Sequence, residues 1–399
     1  MYNKIIKIVN GCFVIIFFIL LIVPVLKIDM SEVSNYEYRT LAKFPSFYTK
    51  KMGLNFQWGR EFDEWFSSRC NMRYKLINLY KMFSCGFNIK YCINGEKVFD
   101  KKNNVLYTES FFGIYSDAGA RNEDTVKSVT AKNFQKINDF CKRKGIKFYV
   151  LVIPRRADFV KFNTPVRRFK KSHDFAEDLI DTIKNSTDVN IIYPYNEMSV
   201  ANKYNAVYYK TDHHFTQYGA YISYDALMQN IKKDLPDIHI EKLNNFVIYK
   251  DKRVKTTYDG VFHSGTMLRM AGFPLCFVNK ILDKDYLYFS KPNSNYIEYM
   301  QFPNEIHSKT DFYVHNPHIL KRKALVIGDS FNSNLLFFLQ YSFRDIAIYS
   351  ISSKRPCYDD IKEIIDTFKP DVVIINIRSF LLEIFFNLFP LQNTKQGEQ

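Results

Sequence analysis

Apolar positions fall along this chain in three regimes. Residues 8–26 form a nearly unbroken apolar run, polar only at Asn10, with Lys4 and Lys7 before it and Lys27, Asp29 and Glu32 after it. About twenty apolar residues suffice to span a bilayer as a helix. No small-residue cleavage pattern follows Leu26, so the run reads as a retained N-terminal transmembrane helix rather than a secretory signal. The basic tip then stays cytoplasmic and the rest of the chain lies outside. Pro24 is tolerable near the outer end, where a helix already lacks partners.

The second regime is less regular. Residues 31–51 carry no period and read as an irregular stalk. Phe56, Phe62, Trp65, Phe66, Leu76, Leu79 and Tyr80 recur near helical spacing and predict one or two amphipathic helices over 56–83. Residues 89–107 alternate as strands do, around an Asn94-Gly95 turn.

From about residue 122 helical and strand patterns alternate. The pattern predicts a helix over 123–144 capped by Gly145, a strand over 147–153, a helix over 174–184 and a strand over 189–193. Thr216 opens a helix to about residue 233. A strand over 324–327 is followed by a helix through 339, a strand over 345–350, a helix over 358–368 and a strand over 371–377. Apolar strands alternating with helices predict an α/β fold, a parallel sheet with helices on both faces. Sites in such sheets lie beyond the carboxyl ends of the strands. Residues 240–321 fit neither period and are expected to be an insertion on the site's rim. Residues 379–391 are apolar but short and carry Glu383; they are expected to close the fold, or to pack on the membrane or a partner. Three domains follow: an anchor over 1–30, a stalk with helical and hairpin segments over 31–120, and an α/β domain over 121–399 with the insertion at about 240–321.

Composition narrows the setting. The net charge is +15 and 17% of residues are aromatic. Outside a cell such a balance suits anionic headgroups or acidic polymers, although a Lys-rich solvated surface gives the same numbers. No nucleic-acid motif accompanies the charge, and the anchor argues against that partner. The seven cysteines show neither C-x-x-C nor zinc-ligand spacing, and most are expected to be buried thiols.

Two segments carry candidate chemistry. Thr211-Asp212-His213-His214-Phe215-Thr216 places an imidazole two residues after a carboxylate, and Gly328-Asp329-Ser330-Phe331 places a serine where an apolar strand ends and a helix begins. A serine hydroxyl needs a base, and the base an orienting carboxylate. Asp212 accepting from Nδ1 of His214 would leave Nε2 for Ser330, and Thr216 would cap the next helix. A helix N-terminus beside Ser330 favours an oxyanion there. The bland alternative is a serine serving only as helix N-cap. Asp212, His213 and His214 also cluster as metal ligands do; but adjacent side chains on extended chain point in opposite directions, so no metal and no cofactor is assigned.

The ordered combination of T-D-H-H-F-T-x-x-G-A with a later V-I-G-D-S-F resembles the DHHW proteins of the AlgX/AlgJ-like SGNH-hydrolase superfamily. Glu37-Tyr38-Arg39-Thr40-Leu41-Ala42-Lys43-Phe44-Pro45, Trp65-Phe66 with Arg73 and Leu76-Ile77, and Gly265-Thr266-Met267 match further elements of that pattern. The departures are Phe215 for the usual tryptophan, Tyr38 for asparagine and Ser68 for aspartate. The usual asparagine of a G-x-N-D block is not evident, although Asn376 lies near a strand end.

The resemblance implies a three-layer, circularly permuted SGNH-hydrolase-like fold with Asp212, His214 and Ser330 as its triad. It implies an O-acetyltransferase acting on a secreted or cell-surface polysaccharide, supplied by a multi-pass MBOAT-type membrane acyltransferase. Gly265, Arg378, Arg155 and His213 are candidates for oxyanion or substrate binding. An esterase or deacetylase with the same triad, or a non-catalytic polysaccharide-binding scaffold, are the alternatives.

Overall fold

The computed structural model describes residues 2–22, 28–34, 39–49, 53–70, 79–80, 83, 91–94, 97–100, 105–108, 123–160, 170–210, 213–250, 287–291, 298–300, 312–319, 321–351 and 356–387. These fall into two compact units, one drawn from Met1–Gly95 and the other from Glu96–Met267 and Ile281–Gln399.

The first unit contains α1 (Tyr2–Ile22) and α2 (Trp58–Arg69). Among the described residues no helix is long and apolar enough to cross a membrane, so the anchor expected over 8–26 is not supported by the structure; residues 23–27 lie outside the described ones. The stretch expected to be an irregular stalk is held to the end of α2. Arg69, 7% exposed, donates from Nη1 to the carbonyls of Asp29 and Ser31 and from Nε to that of Ala42, at 2.8–2.9 Å.

The second unit is built on a seven-stranded sheet. Its strands are β1 (Lys147–Ile153), β2 (Asn190–Ile192), β3 (Glu298–Met300), β4 (Phe312–His315), β5 (Lys323–Gly328), β6 (Asp345–Ser350) and β7 (Val372–Arg378). The order across the sheet is β3-β4-β6-β5-β7-β1-β2. The pairs β6/β5, β5/β7, β7/β1 and β1/β2 are parallel, and β3/β4 and β4/β6 antiparallel. The sheet is therefore mixed, which corrects the expectation of a parallel one. The two antiparallel strands come from the segment expected to be an insertion. They join at an edge, where an added strand needs only one free ladder of N–H and C=O groups.

Helices cover both faces. They are α3 (Glu123–Arg143), α4 (Lys170–Ser186), α5 (Tyr195–Ala201), α6 (Gln217–Asp234), α7 (Asn332–Leu339) and α8 (Tyr358–Phe368). Strand side chains alternate between two cores, as a period of two requires. Tyr149, Leu151, Ile153, Ala324, Val326, Val372 and Ile374 pack with residues of α6 and α7. Phe148, Val150, Val152, Leu325, Ile327, Val373 and Ile375 pack with residues of α3, α4 and α8. Gly145, at φ +71°, ends α3 in the left-handed conformation expected of a C-cap glycine. The apolar tail forms 3-10 turns over Ser379–Asn387, and Leu381, Leu382 and Phe385 close the second core.

The topology places the site. From β5 the chain steps to β6 on one side and then returns to β7 on the other. That reversal opens a crevice beyond the carboxyl end of β5, and Ser330 is two residues past that end.

Candidate active site

The serine-bearing turn is held from several sides. The Asp329 carboxylate accepts from Phe331 N at 3.0 Å, and Asn332 N donates to the Asp329 carbonyl at 3.0 Å. Arg378, at the end of β7, donates from Nε to the other carboxylate oxygen at 2.7 Å, with both side chains buried to within 11%. Its guanidinium also sits 5.2 Å from the Phe331 ring centroid. A buried charge-assisted contact of this kind is among the stronger hydrogen bonds in a protein. Arg378 is thereby bound through Nε to the turn that carries Ser330.

Beneath the turn, Asn376 Nδ2 donates to Asn332 Oδ1 at 2.8 Å, both residues buried. One of the two Asn376 amide hydrogens is committed there. Gly328 makes the approach possible: a Cβ on it would stand 2.2 Å from the Asn376 carbonyl oxygen and 2.5 Å from Asn332 Oδ1. Any side chain would push β5 and β7 apart just before Ser330.

The histidine-bearing loop is assembled from distant parts. Tyr208 and Phe215 form an isolated antiparallel bridge, and Thr216 N donates to Val207 O at 2.9 Å. Thr216 caps α6 as expected, its hydroxyl accepting from Gly219 N at 3.1 Å while donating to Ala206 O at 2.8 Å. Gly219 lets α6 begin against this backbone; a Cβ there would be 2.2 Å from Val207 O. Asn334 of α7 donates to Phe215 O at 2.9 Å, and the Phe331 ring lies 4.8 Å from the rings of both His214 and Phe215. The first turn of α7 thus touches the loop directly.

Sequence reasoning singled out Arg155 but passed over its neighbour. Arg155 pairs with Asp158 at 3.0 Å. Arg156 donates from Nε to Tyr209 O at 2.8 Å and from Nη2 to Lys210 O. It therefore grips the backbone that leads into the histidine pair. The signal was an arginine pair just past the carboxyl end of a parallel strand, but which of the two faces the loop is decided only by the fold.

These two substructures bring His214 Nε2 to 2.7 Å from Ser330 Oγ. His214 is 1% exposed. The rings of His213 and His214 are 3.9 Å apart between centroids, so they do not point apart as extended chain would have them. The chain bends at both residues, which corrects the geometric argument made from sequence. Burial, and then the charge of His214, Arg378 and Arg156, holds the His213 imidazole well below its usual value. Asp212 and Gly265 lie outside the described residues. Among the described residues no cluster of three histidine, cysteine or acidic side chains could hold a metal ion.

An imidazole nitrogen within hydrogen-bond reach of a serine oxygen can take that serine's proton as the oxygen attacks an electrophilic carbon. The fold is α/β, a mixed sheet with helices on both faces. Residues 111–271, which contain the histidine pair, match the family described as "SGNH hydrolase-like domain, acetyltransferase AlgX". No curated protein is significantly similar to the chain. Similar solved structures include a DHHW family protein from Eubacterium siraeum, with 16% identity and a TM-score of 0.49 over 75% of this chain and 98% of that one. PatB1 of Bacillus cereus has 14% identity and a TM-score of 0.48 over 75% and 99%. The O-acetyltransferase domain of Pseudomonas putida AlgJ has 15% identity and a TM-score of 0.45 over 72% and 92%.

Proposed function

We propose that this chain is a membrane-anchored, extracytoplasmic O-acetyltransferase that acts on a polysaccharide through an acetyl-serine intermediate. The observation that carries the reading is the 2.7 Å contact between His214 Nε2 and Ser330 Oγ at a strand-to-helix turn. The family match over residues 111–271 supports acyl transfer as the chemistry. The apolar run at residues 8–26, flanked by lysines, supports the membrane setting.

In this mechanism Ser330 Oγ attacks the carbonyl carbon of an acetyl donor while His214 Nε2 takes the hydroxyl proton. The tetrahedral oxyanion forms beside the backbone N–H of Ser330 at the start of the turn entering α7; the N–H groups of Phe331 and Asn332 already donate to Asp329. Collapse expels the donor's leaving group, which receives the proton from His214. A sugar hydroxyl then attacks acetyl-Ser330, His214 takes the sugar's proton and returns it to Ser330 Oγ, and the acetylated sugar departs. Asp212, two residues before His214 in the chain, is the proposed acceptor for the opposite ring nitrogen. A multi-pass MBOAT-type acyltransferase is the proposed source of acetyl groups.

The test uses the full-length protein with a chromogenic acetyl ester, with and without oligosaccharide, beside Ser330→Ala. Intact mass should show one acetyl group on the wild type and none on the variant, and acetylated sugar should accumulate only with the wild type. Acetate release without sugar acetylation would assign an esterase instead. Undiminished turnover in Ser330→Ala would refute the serine mechanism altogether.

A further inference from the structure

The first unit carries an exposed aromatic face that the mechanism does not use. Phe47 stacks on Trp58 at 4.3 Å, Trp58 on Phe62 at 4.9 Å, and Phe44 packs edge-on against Trp65 at 4.9 Å. Around this stack the surface is apolar: Phe44, Phe47, Tyr48, Leu54 and Phe56 are 56–91% exposed. Burying side chains of this size is normally worth about 1.5–3 kcal/mol each. A contiguous group left in water marks a contact surface.

The chain itself says what covers this face. Arg69 ties Asp29 and Ser31 to the end of α2, and Ile28 bridges Cys70. Only residues 23–27 separate that tie from Ile22, the last residue of α1. Six residues of extended chain reach at most about 20 Å. The last turn of α2 is therefore leashed within that distance of an apolar helix whose Ile8, Phe13 and Ile15 side chains are 60–68% exposed, and the aromatic face starts at Trp65, one turn before that tie, and runs along α2 to Trp58. Lys43 and Arg60, both exposed, adjoin the Phe44 and Trp58 end of the face and suit anionic headgroups, with the exposed Asp63 and Glu64 further along α2. A sugar-binding platform is the competing use of exposed rings. Here the rings are interleaved with leucine, and the Trp58 indole N–H is already spent on Pro45 O at 3.2 Å.

We propose that this face is a membrane-interface contact, seating the first unit on the lipid surface beside α1. Aromatic side chains favour that depth because their apolar bodies reach the acyl boundary while polar edges stay hydrated. The inference rests on the membrane residence proposed above.

The chain's two tryptophans, Trp58 and Trp65, both belong to this stack, so intrinsic fluorescence reads it directly. Full-length protein is reconstituted into phosphatidylcholine–phosphatidylglycerol vesicles whose lipids are brominated near the headgroup end of the acyl chain. Flotation measures membrane residence separately. The expected result is flotation with marked quenching of tryptophan emission, and loss of most of that quenching in the Leu54→Asp/Phe56→Asp variant, which still floats. Both side chains are largely exposed, so the variant keeps its fold, checked by an unchanged emission spectrum in detergent. Flotation without quenching would overturn the contact and leave the anchor standing. Failure to float would overturn both. Protection of the tryptophans from iodide by oligosaccharide, without bromolipid quenching, would reassign the face to polysaccharide.

Discussion

The serine turn and the histidine loop meet at 2.7 Å, yet they are made in opposite ways. The serine turn is built mainly from its own neighbourhood: a strand end, an aspartate bonding the backbone two residues on, and a helix start. Its distant supports, Asn376 and Arg378, lie on the adjacent strand β7. The histidine loop is not part of the main sheet, although its Tyr208 and Phe215 pack into the core formed by Leu151, Ile153 and Val326. It depends on a cap, on a glycine allowing α6 to touch Val207, and on a guanidinium from 54 residues earlier holding Lys210 O. The difference teaches that a candidate nucleophile can be written into a local turn, whereas its proposed base is positioned by partners that sequence distance hides.

Changes to the two proposed reacting groups should erase that distinction. Ser330→Ala and His214→Ala should each lower acyl transfer by roughly 10⁴- to 10⁶-fold, with the double variant no worse than the singles, read by acetate release and circular dichroism. Markedly additive losses would separate the two groups functionally.

The glycines come next. Gly328→Ala and Gly219→Ala each drive a Cβ to 2.2 Å from a backbone oxygen, and each should destabilise the fold by about 3 kcal/mol in denaturant titration. Gly328→Ala should also inactivate the protein that remains folded, because it moves β5 just before the nucleophile. Equal residual activity in both variants would break the comparison.

Arg156→Ala tests the histidine loop alone. It should cost about 1–3 kcal/mol and reduce kcat by up to about 100-fold with little change in KM, while leaving the serine's reactivity toward a small sulfonyl fluoride closer to normal. A pure KM effect would assign Arg156 to substrate binding.

His213 adds a pH signature on the same side. Its imidazole is held well below the usual value, chiefly by burial. The unfolded chain therefore binds a proton near pH 6.5 that the folded chain refuses. Stability is full above about pH 6.5 and falls as pH drops below it, by at most about 1.4 kcal/mol per pH unit. Denaturant midpoints from pH 7 to pH 5 should show this slope, and His213→Gln should flatten it. The smallest expected effect is that of Thr216→Ala, about 1 kcal/mol for a lost cap, measurable as a small fall in Tm.

The serine turn was legible because its signals are local. An apolar run, a G-D-S turn and a helical pattern all sit within fifteen residues, and the backbone periods that define them need no partner. The same holds for β1, β5, β6, β7 and the helices between them, and for Thr216 as cap. The antiparallel edge was not legible: Phe312–His315 is a short apolar segment whose pairing depends on β6 lying open beside it. Nor was the ring contact of His213 with His214, since a bend at both residues replaces the extended chain assumed there.

The sequence alone determined where strands and helices run, that apolar strands stack into a doubly covered sheet, and that a serine and a histidine stand at its functional edge. Hydrophobic period and turn chemistry suffice for that. Tertiary structure alone decided that Arg378 braces Asp329, that Asn376 donates to Asn332, and that Arg156 holds the backbone entering the histidine pair. Those assignments depend on which donor faces which oxygen across strands far apart in the chain, and hydrogen bonds lose their strength over a few tenths of an ångström.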